Sequence, residues 1–108
     1  MCIRDSFQAI RHKIAMMATR TEASRAFAYD TLRRFHEGEV VVREVSMSKL
    51  DSQRALVDIA DEAIQIHGGY GYMREYEVER ALRDARLGPI GGGTDEIMME
   101  IIGKTYGL

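Results

Sequence analysis

Clustered glycine breaks a long helical spacing pattern at two places in this chain. These are Gln65-Ile66-His67-Gly68-Gly69-Tyr70-Gly71-Tyr72 and Gly88-Pro89-Ile90-Gly91-Gly92-Gly93-Thr94. Glycine costs roughly 0.5–1 kcal/mol relative to alanine inside a helix, so neither cluster continues the helix beside it. Both leave the main chain bare, which permits positive φ and close approach of a ligand or another backbone. The rest of the chain reads as helices that hold these two bends in place.

Phe7 to Phe35 reads as the first helix, with Ser6 as its N-cap. Phe7, Ile10, Ile14, Met17, Thr21, Ser24, Ala28, Thr31 and Phe35 recur at alternating steps of three and four, which makes one stripe. Gly38 ends the helix in a short turn. Val41 to His67 reads as the second helix. Val42, Val45, Leu56, Ile59, Ala63 and Ile66 lie on one face, and Leu50, Val57 and Ile64 form a second row. A helix that is apolar on more than one side needs more than one neighbour.

A third, short helix is expected over about 77–86, with Val78, Ala81, Leu82 and Ala85 inward and Glu79 paired to Arg83 at i,i+4 on a face made basic by Arg80, Arg83 and Arg86. The fourth is expected over about 95–106. Thr94 is its N-cap, Asp95 and Glu96 sit in its first turn, and Ile97, Met98, Ile101, Ile102 and Thr105 form its buried stripe. The expected fold is therefore all-α: an up-and-down four-helix bundle of two long and two shorter helices. The first helix alone would run about 43 Å at 1.5 Å per residue, against a radius of gyration of only ~13 Å for a compact domain of this size. Its missing contacts are expected from more chain or from another subunit.

Several function classes fall away. A net charge of −2 gives no electrostatic basis for binding nucleic acid. Cys2 is the only cysteine, which excludes an internal disulfide and a cysteine-based zinc site. No apolar run reaches the ~18–20 residues of a membrane span, and Met1 to Ser6 lack the apolar core of a secretion signal. The residues three before His12, His36 and His67 are Ala9, Arg33 and Ile64, so the Glu-x-x-His repeat of di-metal bundles is absent and no metal is expected. Gly103-Lys104-Thr105 lacks the earlier glycine and preceding strand of a P-loop, and neither glycine cluster has dinucleotide-binding spacing. His67 reads as a helix-end residue bonded to the last carbonyls, and the seven methionines read as core filler. The bends themselves remain as candidates. Thr94 opens a helix whose free N–H groups suit an anion or a carbonyl oxygen, and Gly68-Gly69 allows close approach of a flat or phosphorylated ligand. Each also reads simply as a helix stop or start.

At these residues the sequence resembles the acyl-CoA dehydrogenases. The resemblance rests on Phe7-Gln8-Ala9-Ile10-Arg11, Gln65 to Tyr72, Arg74-Glu75-Tyr76, Val78-Glu79-Arg80 with Arg83-Asp84-Ala85, and Gly92-Gly93-Thr94 with Asp95-Glu96-Ile97. It covers residues 7–108, as that family's C-terminal α-helical domain, and leaves 1–6 as a stub that matches nothing in the family. The expectation is a piece of a larger enzyme, inactive alone.

The resemblance implies a tetrameric flavoenzyme, a dimer of dimers, that binds FAD. It would remove a hydride from Cβ and a proton from Cα of an acyl-CoA and pass electrons to an electron-transfer flavoprotein. The compartment would be the bacterial cytoplasm or the mitochondrial matrix. By the same resemblance, Gln65, Ile66, His67, Gly68 and Gly69 touch the ADP half of a neighbouring subunit's FAD, and Phe7 and Gln8 make another contact to it. Thr94 and Glu96 lie near the cofactor of this chain's own site, and the Gly93 backbone lies near the substrate thioester carbonyl. Gly92 occupies the position where many members carry the catalytic glutamate, so no base is assigned within this chain. Members resembling isovaleryl- and long-chain acyl-CoA dehydrogenases carry it on an earlier helix. A non-catalytic helical interaction module and an acyl-CoA oxidase-type relative stand as alternatives.

Overall fold

The computed structural model describes residues 7–108. Four helices follow one another: α1 (Gln8–His36), α2 (Val42–His67), α3 (Val78–Ala85) and α4 (Asp95–Thr105), with a 3-10 turn at Gly68–Tyr72 between α2 and α3. No strand forms among the described residues. The all-α architecture of two long and two short helices is the expected one. Ser6 and the stub at 1–6 lie outside the described residues. The N-cap position of α1 belongs to Phe7, whose side chain makes no cap bond.

α2 is the hub. It contacts α1, α3, α4 and the 3-10 turn, whereas α1 touches neither α3 nor α4. The bundle is thus open, with α1 on one face of α2 and the two short helices on another. Charge and hydroxyl pairs set the antiparallel register of α1 and α2. Lys13 pairs with Glu62 at 2.6 Å, Arg20 with Asp58 at 2.5 Å, and Ser24 Oγ donates to Asp51 Oδ2 at 2.6 Å. On the other face α4 runs against α2. Arg43, at the start of α2, donates to the Thr105 hydroxyl at 2.9 Å and carbonyl at 2.7 Å, and stacks 3.9 Å from the Tyr106 ring centroid.

Most buried positions are small, among them Thr31, Ser46, Ala55, Ala60 and Ala85, with Val41, Pro89, Asp95 and Met98 the larger exceptions. No large side chain is fully enclosed. Small residues let the helices approach closely, so the larger apolar residues stand at the margins. On the short helices, two positions expected to face inward are open instead: Ile97 of α4 is 51% exposed, and Ala81 of α3 is exposed. α4 meets only α2, and α3 meets α2 and the edge of the 3-10 turn, too narrow a contact to cover a whole stripe. Leu32 and Phe35 of α1 and Val42 and Val45 of α2 line a groove that is open to solvent. The shape is correspondingly elongated, 50 × 24 × 24 Å with a radius of gyration of 16.7 Å.

Candidate functional site

The first bend closes the C-terminal end of α2. Gly68 caps the helix with φ +65°. His67 Nδ1 lies 2.7 Å from the Ala63 carbonyl, which makes it the helix-end residue the sequence suggested. The chain then folds back so tightly that a Cβ on Gly71 would lie 2.5 Å from the Ile64 carbonyl oxygen, a contact only glycine avoids. Gly71 is therefore buried, while Gly68, Gly69 and Tyr70 face outward and Gly69 has open space where a side chain would be. Tyr70 and Tyr76 close the far side, ring centroids 5.2 Å apart.

The second bend is built differently. Gly92 and Gly93 take φ +66° and +111°, a region that side-chain-bearing residues seldom occupy. Thr94 then caps α4, its hydroxyl accepting from the Ile97 N–H at 3.2 Å. The Asp95 N–H turns back to the Pro89 carbonyl at 3.0 Å. Among the described residues, no acceptor serves the backbone N–H groups of Gly92, Gly93, Thr94 and Glu96. Two cations of α2 hold the bend. Lys49 Nζ donates to the carbonyls of Gly88 at 2.8 Å and Gly93 at 2.5 Å. Arg54 Nε donates to Oδ2 of the buried Asp95, whose Oδ1 has no partner. Sequence reasoning missed Lys49 and Arg54, since nothing in local spacing ties a lysine to carbonyls 39 and 44 residues away.

The site residues fall into two groups. Phe7 and Gln8 begin α1, and the antiparallel register brings them to the end of α2 that carries Gln65, Ile66, His67, Gly68 and Gly69. All of these are exposed except Ile66, which is half-buried. Gly92, Gly93, Thr94 and Glu96 sit instead beside Lys49 and Arg54. From Lys49 to Gln65 is sixteen residues of α2, about 24 Å along its axis. The two groups form two separate surfaces rather than one pocket.

The family model for the acyl-CoA dehydrogenase C-terminal domain matches residues 5–107. The chain belongs to the acyl-CoA dehydrogenase family. An acyl-CoA dehydrogenase of Bacillus subtilis (strain 168) is 46% identical over 97 residues, covering 90% of this chain and 26% of that protein. The mitochondrial long-chain specific acyl-CoA dehydrogenase of Mus musculus is 38% identical over 97 residues, 90% of this chain and 23% of that one. A probable acyl-CoA dehydrogenase from Mycobacterium abscessus superposes with a TM-score of 0.92 at 46% identity, over 94% of this chain and 27% of that one. The chain thus spans about a quarter of the length of these acyl-CoA dehydrogenases, and its fold is their C-terminal helical domain. Among the described residues no helix is long and apolar enough to cross a membrane.

Proposed function

We propose that this chain serves as the C-terminal helical domain of an FAD-dependent acyl-CoA dehydrogenase that desaturates acyl-CoA thioesters between Cα and Cβ. The observation that carries the reading is the row of unbonded main-chain N–H groups at Gly92, Gly93, Thr94 and Glu96, at the positive end of α4. Such a row suits a carbonyl oxygen that gains negative charge as the Cα proton leaves. In this reading the Gly93 backbone faces the thioester carbonyl, while Thr94 and Glu96 border the cofactor of the same site.

Gln65, Ile66, His67, Gly68 and Gly69, with Phe7 and Gln8, contact the ADP half of FAD held by a neighbouring subunit. The ~24 Å between the two surfaces, at 1.5 Å per helical residue, supports assigning them to different parts of the cofactor set. The open space at Gly69 fits a closely approaching nucleotide. FAD supplies the hydride acceptor when bound. This chain positions and polarises, and the proton-abstracting base lies elsewhere in the whole protein. The open groove of Leu32, Phe35, Val42 and Val45 is covered by other chain or by sister subunits of a tetramer. An electron-transfer flavoprotein takes the electrons, in the cytoplasm of a bacterium or the mitochondrial matrix of a eukaryote.

A graft tests this. Residues 7–108 replace the matching C-terminal quarter of the mouse long-chain enzyme. The chimera is expected to purify with flavin bound and to reduce a dye with a long-chain acyl-CoA. The isolated chain is expected to do neither. A chimera that assembles as the parent does but holds no flavin and turns over no acyl-CoA would overturn the reading.

A further inference from the structure

We infer that Lys49 is a positioning residue that sets the aim of the Gly92–Thr94 main chain; this rests on the function proposed above. Gly92 and Gly93 have no side chains to lock them, and glycine samples both signs of φ readily. Left to itself, the peptide unit between Gly93 and Thr94 would rotate. Lys49 removes that freedom. Its ammonium reaches from α2 to the Gly88 carbonyl at 2.8 Å and the Gly93 carbonyl at 2.5 Å, and so bridges the mouth of the bend.

In a planar trans peptide the carbonyl and the following N–H point in opposite directions. With the Gly93 carbonyl drawn onto Lys49, the Thr94 N–H turns away from α2. That N–H is one of those with no acceptor among the described residues. The clamp therefore spends the inward-facing acceptors on α2 and leaves the donors facing out. Lysine suits the task because a compact ammonium donates in three directions, whereas the planar fork of arginine is spaced for a carboxylate. Arg54 grips the Asp95 carboxylate and fixes the start of α4. Lys49 acts one step earlier, on the main chain itself.

Two measurements test the inference with Lys49→Met and Lys49→Arg. The first is residue-resolved amide hydrogen exchange on the 108-residue chain, which needs no flavin and no substrate. Lys49→Met is expected to speed exchange by roughly tenfold at Gly91 and Asp95, the two amides of the 91–95 stretch that have acceptors, the Leu87 and Pro89 carbonyls, with the α1–α2 seam between Lys13 and Glu62 unchanged. Lys49→Arg is expected to recover part of the protection. No change at Gly91 and Asp95, or equal acceleration throughout the chain, would overturn the clamp.

The second measurement uses the chimera. Lys49→Met is expected to lower kcat by about tenfold to a hundredfold with little change in KM, as for donors that act mainly on the developing charge. Faster exchange at Gly91 and Asp95 with kcat unchanged would overturn the link between clamp and reaction. If the unsubstituted chimera is inactive, the proposed function fails, and the exchange experiment still decides whether Lys49 holds the bend.

Discussion

The Gly68–Tyr72 turn is held by its own main chain, whereas the Gly88–Thr94 bend is held by α2 side chains that lie 39 to 44 residues earlier. In the first, the Met73 N–H returns to the Tyr70 carbonyl at 3.2 Å and Gly71 seats directly on the last turn of α2. Among the described residues no side chain from outside donates to it. In the second, Lys49 and Arg54 tie down each edge of the loop. A turn fixed by steric contact has one geometry and fails when atoms are added. A bend fixed by cations keeps its geometry only while the charges stay, and fails when atoms are removed. The difference matches the proposed roles: a rigid shoulder for a nucleotide, and a row of donors whose direction must be set.

The largest expected effect probes the steric side. In Gly71→Ala the new methyl meets the backbone of Ile64, which cannot yield without unwinding the end of α2. Overpacking of this kind costs about 3 kcal/mol. The urea midpoint should fall accordingly, and amide exchange should rise across residues 68–73 while Gly91 and Asp95, the bonded amides of the second bend, stay protected. Equal loss at both bends would erase the contrast between them.

Arg54→Met probes the other side and comes next. It strips the partner from Asp95, a nearly buried carboxylate whose second oxygen already lacks one. Because Arg54 is itself half-exposed, the expected loss is about 2 kcal/mol rather than the full cost of a buried pair. Adding Asp95→Asn should restore part of that stability, since a neutral amide is cheaper to leave buried. No recovery in the double variant would mean that Arg54 acts by packing rather than by charge. Thr94→Ala should cost about 1 kcal/mol through loss of the cap, and Thr94→Ser should cost little. The cap lies within α4, so helix fraying should stop at its first turn and leave the grip of Lys49 on Gly88 intact.

The contrast was half visible in the sequence. Glycine clusters and Thr94 are local signals, because a single residue's φ or hydroxyl decides them, and they located both bends and the start of α4. The helix limits followed from the same logic. What holds the second bend was not visible, because Lys49 and Arg54 look like any solvated charges on a helix until the fold carries residues 88–95 past them. The core was misleading for a related reason. The stripe of α1 did include Thr31, which is buried, but the rows of α2 passed over Ser46, Ala55 and Ala60, which are buried too, while the stripe residues Phe35, Val42 and Val45 stand in solvent. Periodicity reports which side of a helix is apolar, not which neighbour covers it. The unmet stripe did carry information, since a helix of this length in so short a chain had to leave apolar surface over.

The smallest effect belongs to α3, the connector between the two bends, and tests whether they are independent. The Glu79 carboxyl is held below its ordinary value of 4.5, first by its hydrogen bonds from Arg83, then, against the opposing effect of desolvation, by the charges of Arg83, Arg74 and Arg80. A carboxyl whose pKa is lower in the folded chain stabilises that chain at pH above its ordinary value, and the contribution disappears as pH falls through the lower folded value. Glu79→Gln should therefore weaken α3 slightly near neutral pH and make no difference in strong acid. Circular dichroism during acid titration of the two chains should show their helical signals converging below the ordinary carboxylate range. Exchange at residues 68–73 and 91–95 should not change in either chain, because neither bend takes a hydrogen bond from this pair. If Glu79→Gln loosened both bends together, α3 would be coupling them, and the two modes of restraint would be parts of one.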